Sequence, residues 1–138
     1  VFGEKDAQQL LIIKQMIQKK QYGIRLIEAP IIRAAGGLAL SSRNGYLTDQ
    51  DQNIANNIYV GLQKIKGALE NGERSSLILK VLFKNHLKTF PDLKIDYISI
   101  SCKNTLEEIE AVINADILVS AAVFLRGVRL IDNFSYFI

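Results

Sequence analysis

Ile117-Leu118-Val119-Ser120-Ala121-Ala122-Val123-Phe124-Leu125-Arg126-Gly127-Val128-Arg129-Leu130-Ile131-Asp132-Asn133 holds two β-rich runs on either side of an Arg-Gly pair, the pattern of a β-hairpin. The first run is far shorter than the ~20 apolar residues a membrane span needs, and it carries Ser120. Upstream, Lys94 to Cys102 alternates like a half-buried strand: Ile98, Ile100 and Cys102 fall on one face, Tyr97, Ser99 and Ser101 on the other. Between the strands, Thr105-Leu106-Glu107-Glu108 has a capping-box-like pattern and predicts one or two helical turns.

Two helices precede these strands. Thr48 is a good N-cap with Asp49 and Asp51 in the first turn. Ile54, Ile58, Leu62, Ile65 and Leu69 then recur every three or four residues until Asn71-Gly72. A second helix, about Ser75 to Lys88, offers Leu77, Ile78, Val81 and Leu82 as its buried stripe, and Pro91 closes the unit. Two helices against a small, largely antiparallel sheet make an α+β unit. The first third reads differently. Asp6 to about Lys20 has a helical period in Leu10, Ile13, Met16 and Ile17, with Lys19-Lys20 at its end and Gly23 beyond. Ile24 to Glu28 reads as a short strand halted by Pro30, and Ile31-Ile32-Arg33 as a further extended piece. Helix, turn and strand are half of an α/β unit, and a single strand cannot bury two faces, so this third reads as the end of a larger parallel-sheet domain. The sequence does not open with Met and is expected to begin inside a longer gene product.

Composition narrows the function classes. The chain has 138 residues, 49% hydrophobic and 22% charged, which is globular and excludes intrinsic disorder. A single Cys102 excludes an intrachain disulfide framework and a multi-Cys zinc site, and fits a reducing cytoplasmic compartment. Through Ser42, six Lys/Arg stand against three Asp/Glu; from Arg43 onward, eleven stand against eleven. The basic excess therefore lies in the first third, without the concentrated stripe a nucleic-acid binder shows. A small anionic ligand suits it better.

Walker loops, paired-glycine dinucleotide fingerprints and HExxH are absent. His86, mid-helix, reads as a surface or half-buried helix residue, and Cys102, on a strand face, as core packing. Two segments carry chemistry instead. Phe2-Gly3-Glu4-Lys5-Asp6-Ala7-Gln8-Gln9-Leu10 places Gly, Lys, Asp and two Gln where a helix begins. There, free N–H groups and the dipole favour an anion, Lys5 adds a point charge, and Gln9 could read a carboxylate or hydroxyl. Gly36-Gly37-Leu38-Ala39-Leu40-Ser41-Ser42-Arg43-Asn44 offers close backbone approach, hydroxyl donors and a bidentate fork, which suit a leaving pyrophosphate. Read blandly, the first is a capped helix start and the second a flexible linker.

In order and at matching spacing, these two segments resemble the pantoate–β-alanine ligase (pantothenate synthetase) family. Pro30-Ile31-Ile32-Arg33, Asp96-Tyr97 and Arg129-Leu130-Ile131-Asp132-Asn133 extend the resemblance across nearly the whole chain. It implies an ATP-dependent ligase of the nucleotidyltransferase superfamily, related in fold to class I aminoacyl-tRNA synthetases. Pantoate would attack the α-phosphate of ATP, and β-alanine would then attack pantoyl adenylate, with Mg2+ screening the phosphates. The implied fold class is an α/β fragment, the end of a Rossmann-like nucleotide-binding domain, over residues 1–40, followed by an α+β lid domain over residues 41–138. A cytoplasmic homodimer without nucleic-acid or membrane partners is implied for the full-length enzyme.

By position, the resemblance makes Lys5, Ser41, Ser42 and Arg43 catalytic. It gives Gly3, Lys5, Asp6, Ala29, Ile32, Leu40, Ser41, Ser42 and Arg43 to ATP, with Ala29 and Ile32 at the adenine, and Gln9 to pantoate. Leu40-Ser41-Ser42-Arg43 stands for the KMSKS loop. Ala7 replaces a common Tyr, and Ala34 and Gly36 replace common acidic residues, which implies a more loosely anchored loop. The family's His-x-Gly-x-x-His motif and first pantoate-binding Gln are absent, so the chain reads as a C-terminal portion that is inactive alone. The rival reading is a non-catalytic interaction module that kept the lid fold.

Overall fold

A computed structural model of the chain describes residues 2–3, 5, 9, 12–16, 28–41 and 45–138. Two short strands, β1 (Phe2–Gly3) and β2 (Glu28–Ala29), pair in parallel. Between them residues 9 and 12–16 are helical. The rest of the helix expected over Asp6–Lys20, and Ile24 to Ile27 of the expected strand, lie outside the described residues. β1 is an addition to the expected elements, since two residues are too few to show a strand period.

The remainder is the α+β unit the sequence predicts. Helix α1 (Asp49–Glu70) is capped by Thr48, whose hydroxyl accepts from the Asp51 N–H at 3.1 Å, and ends at Asn71 and Gly72. Its predicted stripe is buried at Ile58, Leu62, Ile65 and Leu69, with Ile54 packed at the margin. Helix α2 (Ser76–Lys88) follows from the Ser75 N-cap. Both helices pack on an antiparallel sheet of order β3 (Leu93–Cys102), β4 (Ile117–Leu125) and β5 (Val128–Tyr136). The β4–β5 hairpin turns at Arg126 (φ 49°) and Gly127 (φ 79°), the left-handed pair of a two-residue hairpin loop. Alternate residues Ile117, Val119, Ala121, Val123 and Leu125 of central β4 point into the helix-facing core.

Two expectations fail. On α2 the buried stripe is Ser76, Leu79, Phe83 and Leu87, whereas Leu77, Ile78 and Val81 are exposed and only Leu82 packs at the core margin. Apolar residues occupy both sides of this helix, so spacing alone does not choose a face. The aromatic Phe83, flanked one turn each way by Leu79 and Leu87, fixes the choice. Nor does Thr105 open a helix. A capping box needs the Glu108 carboxylate to turn back to the Thr105 N–H. Instead Glu108 accepts from Ser99 Oγ (2.5 Å), the Ile100 N–H (3.1 Å) and Lys80 Nζ (2.6 Å), and residues 101 and 108 form a β-bridge. Burial pushes the Glu108 pKa up, but these three hydrogen bonds outweigh it and hold the carboxyl below its ordinary range.

Candidate functional site

The parallel ladder sets Gly3 directly opposite Ala29, so two of the predicted nucleotide contacts are neighbours by register. Ligands of open α/β sheets sit beyond the carboxyl ends of parallel strands, and both chains continue from there into predicted site residues: Lys5 after β1, Ile32 after β2.

Residues 33–39 form a tight antiparallel turn. Arg33 bridges Ala39, the Ala34 N–H donates to the Leu38 carbonyl at 2.9 Å, and the Gly37 N–H donates to the Ala34 carbonyl at 2.9 Å. The turn is closed at its base by the Leu40 N–H donating to the Ile32 carbonyl at 2.8 Å, which sets two exposed apolar side chains, Ile32 and Leu40, side by side. The residues at 34 and 36 do not leave the turn loose. Leu38 and Ala39 are buried, and Asn56 Oδ1 accepts from the Leu38 N–H at 3.1 Å. Gly37 has φ +103° and lies flat against the Tyr59 ring, while Gly36 abuts Asn56. Small residues here let α1 come close, and that contact supplies the anchoring.

Lys5 links the two clusters. Its Nζ donates to the carbonyls of Ala39 at 3.3 Å and Leu40 at 3.5 Å, across 34 and 35 residues of sequence. Half-buried Ser41 follows Leu40 in the chain. The structure therefore brings Gly3, Ala29, Lys5, Ile32 and Leu40 into one constellation, with Ser41 at its edge. Gln9 is exposed and helical, four residues beyond Lys5. Asp6, Ser42 and Arg43 lie outside the described residues. An ammonium beside two exposed apolar side chains and a strand-end glycine can take a ligand that is flat and apolar at one end and anionic at the other.

Sequence reasoning missed the supports. Arg33 forms a bidentate pair with Asp132, donates to the Gly37 carbonyl at 3.0 Å and lies 4.5 Å over the Tyr59 ring. Asn133 Nδ2 donates to the Lys5 carbonyl at 2.7 Å. Arg33, Asp132 and Asn133 all stand in stretches that carry the resemblance, which was the one available signal. Asn56 and Tyr59 had none. His86, as expected, is a half-buried helix residue: its Nε2 meets Asn57 Oδ1 at 3.1 Å, and burial followed by the nearby Lys64 charge lowers its pKa. Cys102 is half-buried at the end of β3.

A family model described as pantoate-beta-alanine ligase matches residues 1–135. Pantothenate synthetase of Clostridium botulinum (strain 657 / Type Ba4) is 43% identical over 135 residues, covering 98% of this chain and 48% of that protein. Among solved structures, pantothenate synthetase from Thermus thermophilus superposes with a TM-score of 0.88 at 29% identity, over 96% of this chain and 48% of the other. Pantoate-beta-alanine ligase from Francisella tularensis, complexed with beta-gamma ATP and beta-alanine, gives a TM-score of 0.59 at 32% identity, over 96% and 41%. The chain spans about half the length of the curated relatives it matches.

Proposed function

The chain belongs to the pantoate-beta-alanine ligase family, and from that premise we propose that the full-length protein condenses pantoate and β-alanine to pantothenate, driven by ATP. The pantoate carboxylate attacks the α-phosphate, forming pantoyl adenylate and releasing pyrophosphate. The β-alanine amine then attacks the acyl carbon and AMP leaves. In this reading residues 1–40 close a Rossmann-like nucleotide-binding domain and residues 41–138 are its lid.

The observation that carries the reading is the Lys5 ammonium resting on the carbonyls of Ala39 and Leu40. Two polar segments that sequence alone could not join converge where one nucleotide could touch both. Lys5 would then neutralise phosphate charge, and Ser41, Ser42 and Arg43 would grip the departing pyrophosphate, stabilising charge that develops in the transition state. Ala29 and Ile32 line the adenine pocket, Gly3 and Asp6 shape the ribose region, Leu40 belongs to the loop that grips the triphosphate, and Gln9 donates to pantoate. A lid-fold module without ATP chemistry has no use for that convergence.

Among the described residues no cluster of three His, Cys, Asp or Glu could hold a metal ion. In this reading Mg2+ would ride on the triphosphate, whose oxygens suit it and whose charge it would screen, and no step here is routed through the ion. The reading also assigns a cytoplasmic homodimer with no nucleic-acid or membrane partner. Among the described residues no helix is long and apolar enough to cross a membrane.

Pantoate-dependent ATP–pyrophosphate exchange by the full-length protein, with pantothenate appearing on addition of β-alanine, tests the proposal. Exchange that ignores pantoate would sink it. In this reading the 138-residue chain holds one part of the site and is inactive alone, and turnover by it would refute that division.

A further inference from the structure

Two stretches that carry the resemblance, Pro30-Ile31-Ile32-Arg33 and Arg129-Leu130-Ile131-Asp132-Asn133, have little or no part in the scheme above. They meet on β5. Successive residues of a strand point to opposite faces, and Asp132 and Asn133 exploit that alternation. Asp132, 3% exposed and paired with Ala121 in the ladder, accepts from Arg33 Nη1 at 2.5 Å and Nη2 at 2.8 Å. Its Oδ1 also accepts from the Asn133 N–H at 2.7 Å. Asn133 is buried, pairs with Ser120, and grips the Lys5 carbonyl from the other face. Arg33 opens the turn that ends at Ala39, and Lys5 Nζ reaches Ala39 again. The contacts close into a ring: Arg33, Asp132, Asn133, Lys5, Ala39. That ring encircles β5, an edge strand of the sheet.

We propose that Asp132 and Asn133 are positioning residues of the ligase site: gripping Arg33 on one face of β5 and the Lys5 main chain on the other, they set the separation between Lys5 and the stem of the Ser41 loop. The inference rests on the ligase reading. Their role here is exerted through Arg33 and the Lys5 main chain. A bidentate guanidinium–carboxylate pair fixes direction as well as distance, which a single point contact does not. Without it the stem can shift relative to Lys5, and a ~1 Å misplacement of reacting groups can cost about 100-fold in rate.

The test uses the full-length protein and the single-turnover rate constant for adenylate formation from ATP and pantoate, which the fraction of folded enzyme does not alter. Asp132→Asn keeps the side chain's size but loses the charge-assisted fork, and should lower the rate constant about 100-fold. Arg33→Lys keeps the charge and loses the fork, and should fall with it. Asn133→Ala removes the grip on the Lys5 carbonyl and should lower it about tenfold. KM for ATP and pantoate should stay within about threefold throughout, because binding contacts remain. Variants that only melt earlier, reacting at the wild-type rate constant below their Tm, would show a merely structural pair and overturn the proposal. So would a raised KM with the rate constant intact. A wild-type protein without pantoate-dependent exchange strikes the ligase reading itself, a result distinct from an active wild type with indifferent variants.

Discussion

Replacing Gly37 with Ala confronts the turn before Ser41 with two separate costs. The backbone there has φ +103°, a conformation that resists a Cβ whatever the surroundings. The surroundings are also full: the new Cβ would stand 2.2 Å from Tyr59 Cδ1 and 2.7 Å from Cγ. That ring carries the Arg33 guanidinium 4.5 Å from its centroid, so it cannot swing away without giving up the contact. Left-handed backbone costs a non-glycine residue about 1–2 kcal/mol, and overpacking typically adds about 1–3 kcal/mol. Tyr59 is only half-buried and part of the clash can be relieved outward; a loss of about 2–3 kcal/mol is therefore expected. Gly67→Ala is the internal control. It lies in the last turn of α1 with nothing within 4 Å of an added Cβ, and should gain about 0.5 kcal/mol. Denaturant unfolding of the full-length variants, followed by circular dichroism at unchanged m-value, measures both. Gly37→Ala within about 0.5 kcal/mol of wild type, beside a stabilised Gly67→Ala, would refute the close approach of α1 to the turn.

Gly61→Ala would place a Cβ 2.8 Å from the fully buried Phe83 at the crossing of α1 and α2, and should destabilise by about 1–2 kcal/mol despite the better helix propensity; a more stable protein in the same unfolding assay would contradict the packing. Leu79→Ala, at a fully buried site, should cost about 2–5 kcal/mol, whereas Leu77→Ala, 68% exposed, should stay within about 0.5 kcal/mol. Reversed costs would restore the stripe that spacing alone suggested. Glu108 has its folded-state pKa held below the ordinary 4.5, so its contribution to stability is complete above pH 4.5 and is lost as pH falls through the lowered value. The gap in melting temperature between wild type and Glu108→Gln should therefore be widest near neutrality and close on acidification; a gap that grows in acid would reverse the sign.

Legibility follows from how many residues specify each feature. The α1 stripe repeats over five apolar positions, and its ends are marked by Thr48 and Asn71-Gly72, so the helix could be read with its cap and buried face. The hairpin at Arg126-Gly127 was equally local, because two left-handed residues suffice to turn the chain. The stripe of α2 was illegible for the opposite reason: apolar residues on two sides leave the period without a preferred face. Thr105 misled because its capping partner Glu108 is claimed by Lys80, 28 residues upstream, and by Ser99 across the bridge. At the site, residue types could be named from the resemblance, but their supports could not. Arg33 and Asp132 are 99 residues apart, and no local pattern marks two residues as partners at that distance.

In the ligase reading, the geometry around Lys5 separates two jobs that a phosphate-binding lysine must do at once. Its main chain is held firmly, by a 2.7 Å hydrogen bond from buried Asn133 to its carbonyl. Its ammonium meets the carbonyls of Ala39 and Leu40 at 3.3 and 3.5 Å, the long end of hydrogen bonding. A phosphate oxygen would offer a shorter, charge-assisted bond in exchange. The carbonyls of Ala39 and Leu40 belong to a turn already fixed by Arg33, Asn56 and Tyr59, so they would keep their position when the ammonium turned to a phosphate. A firm anchor at the backbone would let the side chain turn to a ligand without moving the strand that carries it. For that reason the grip of β5 on Lys5, and not the contacts of the ammonium itself, is where a substitution should cost rate without costing affinity.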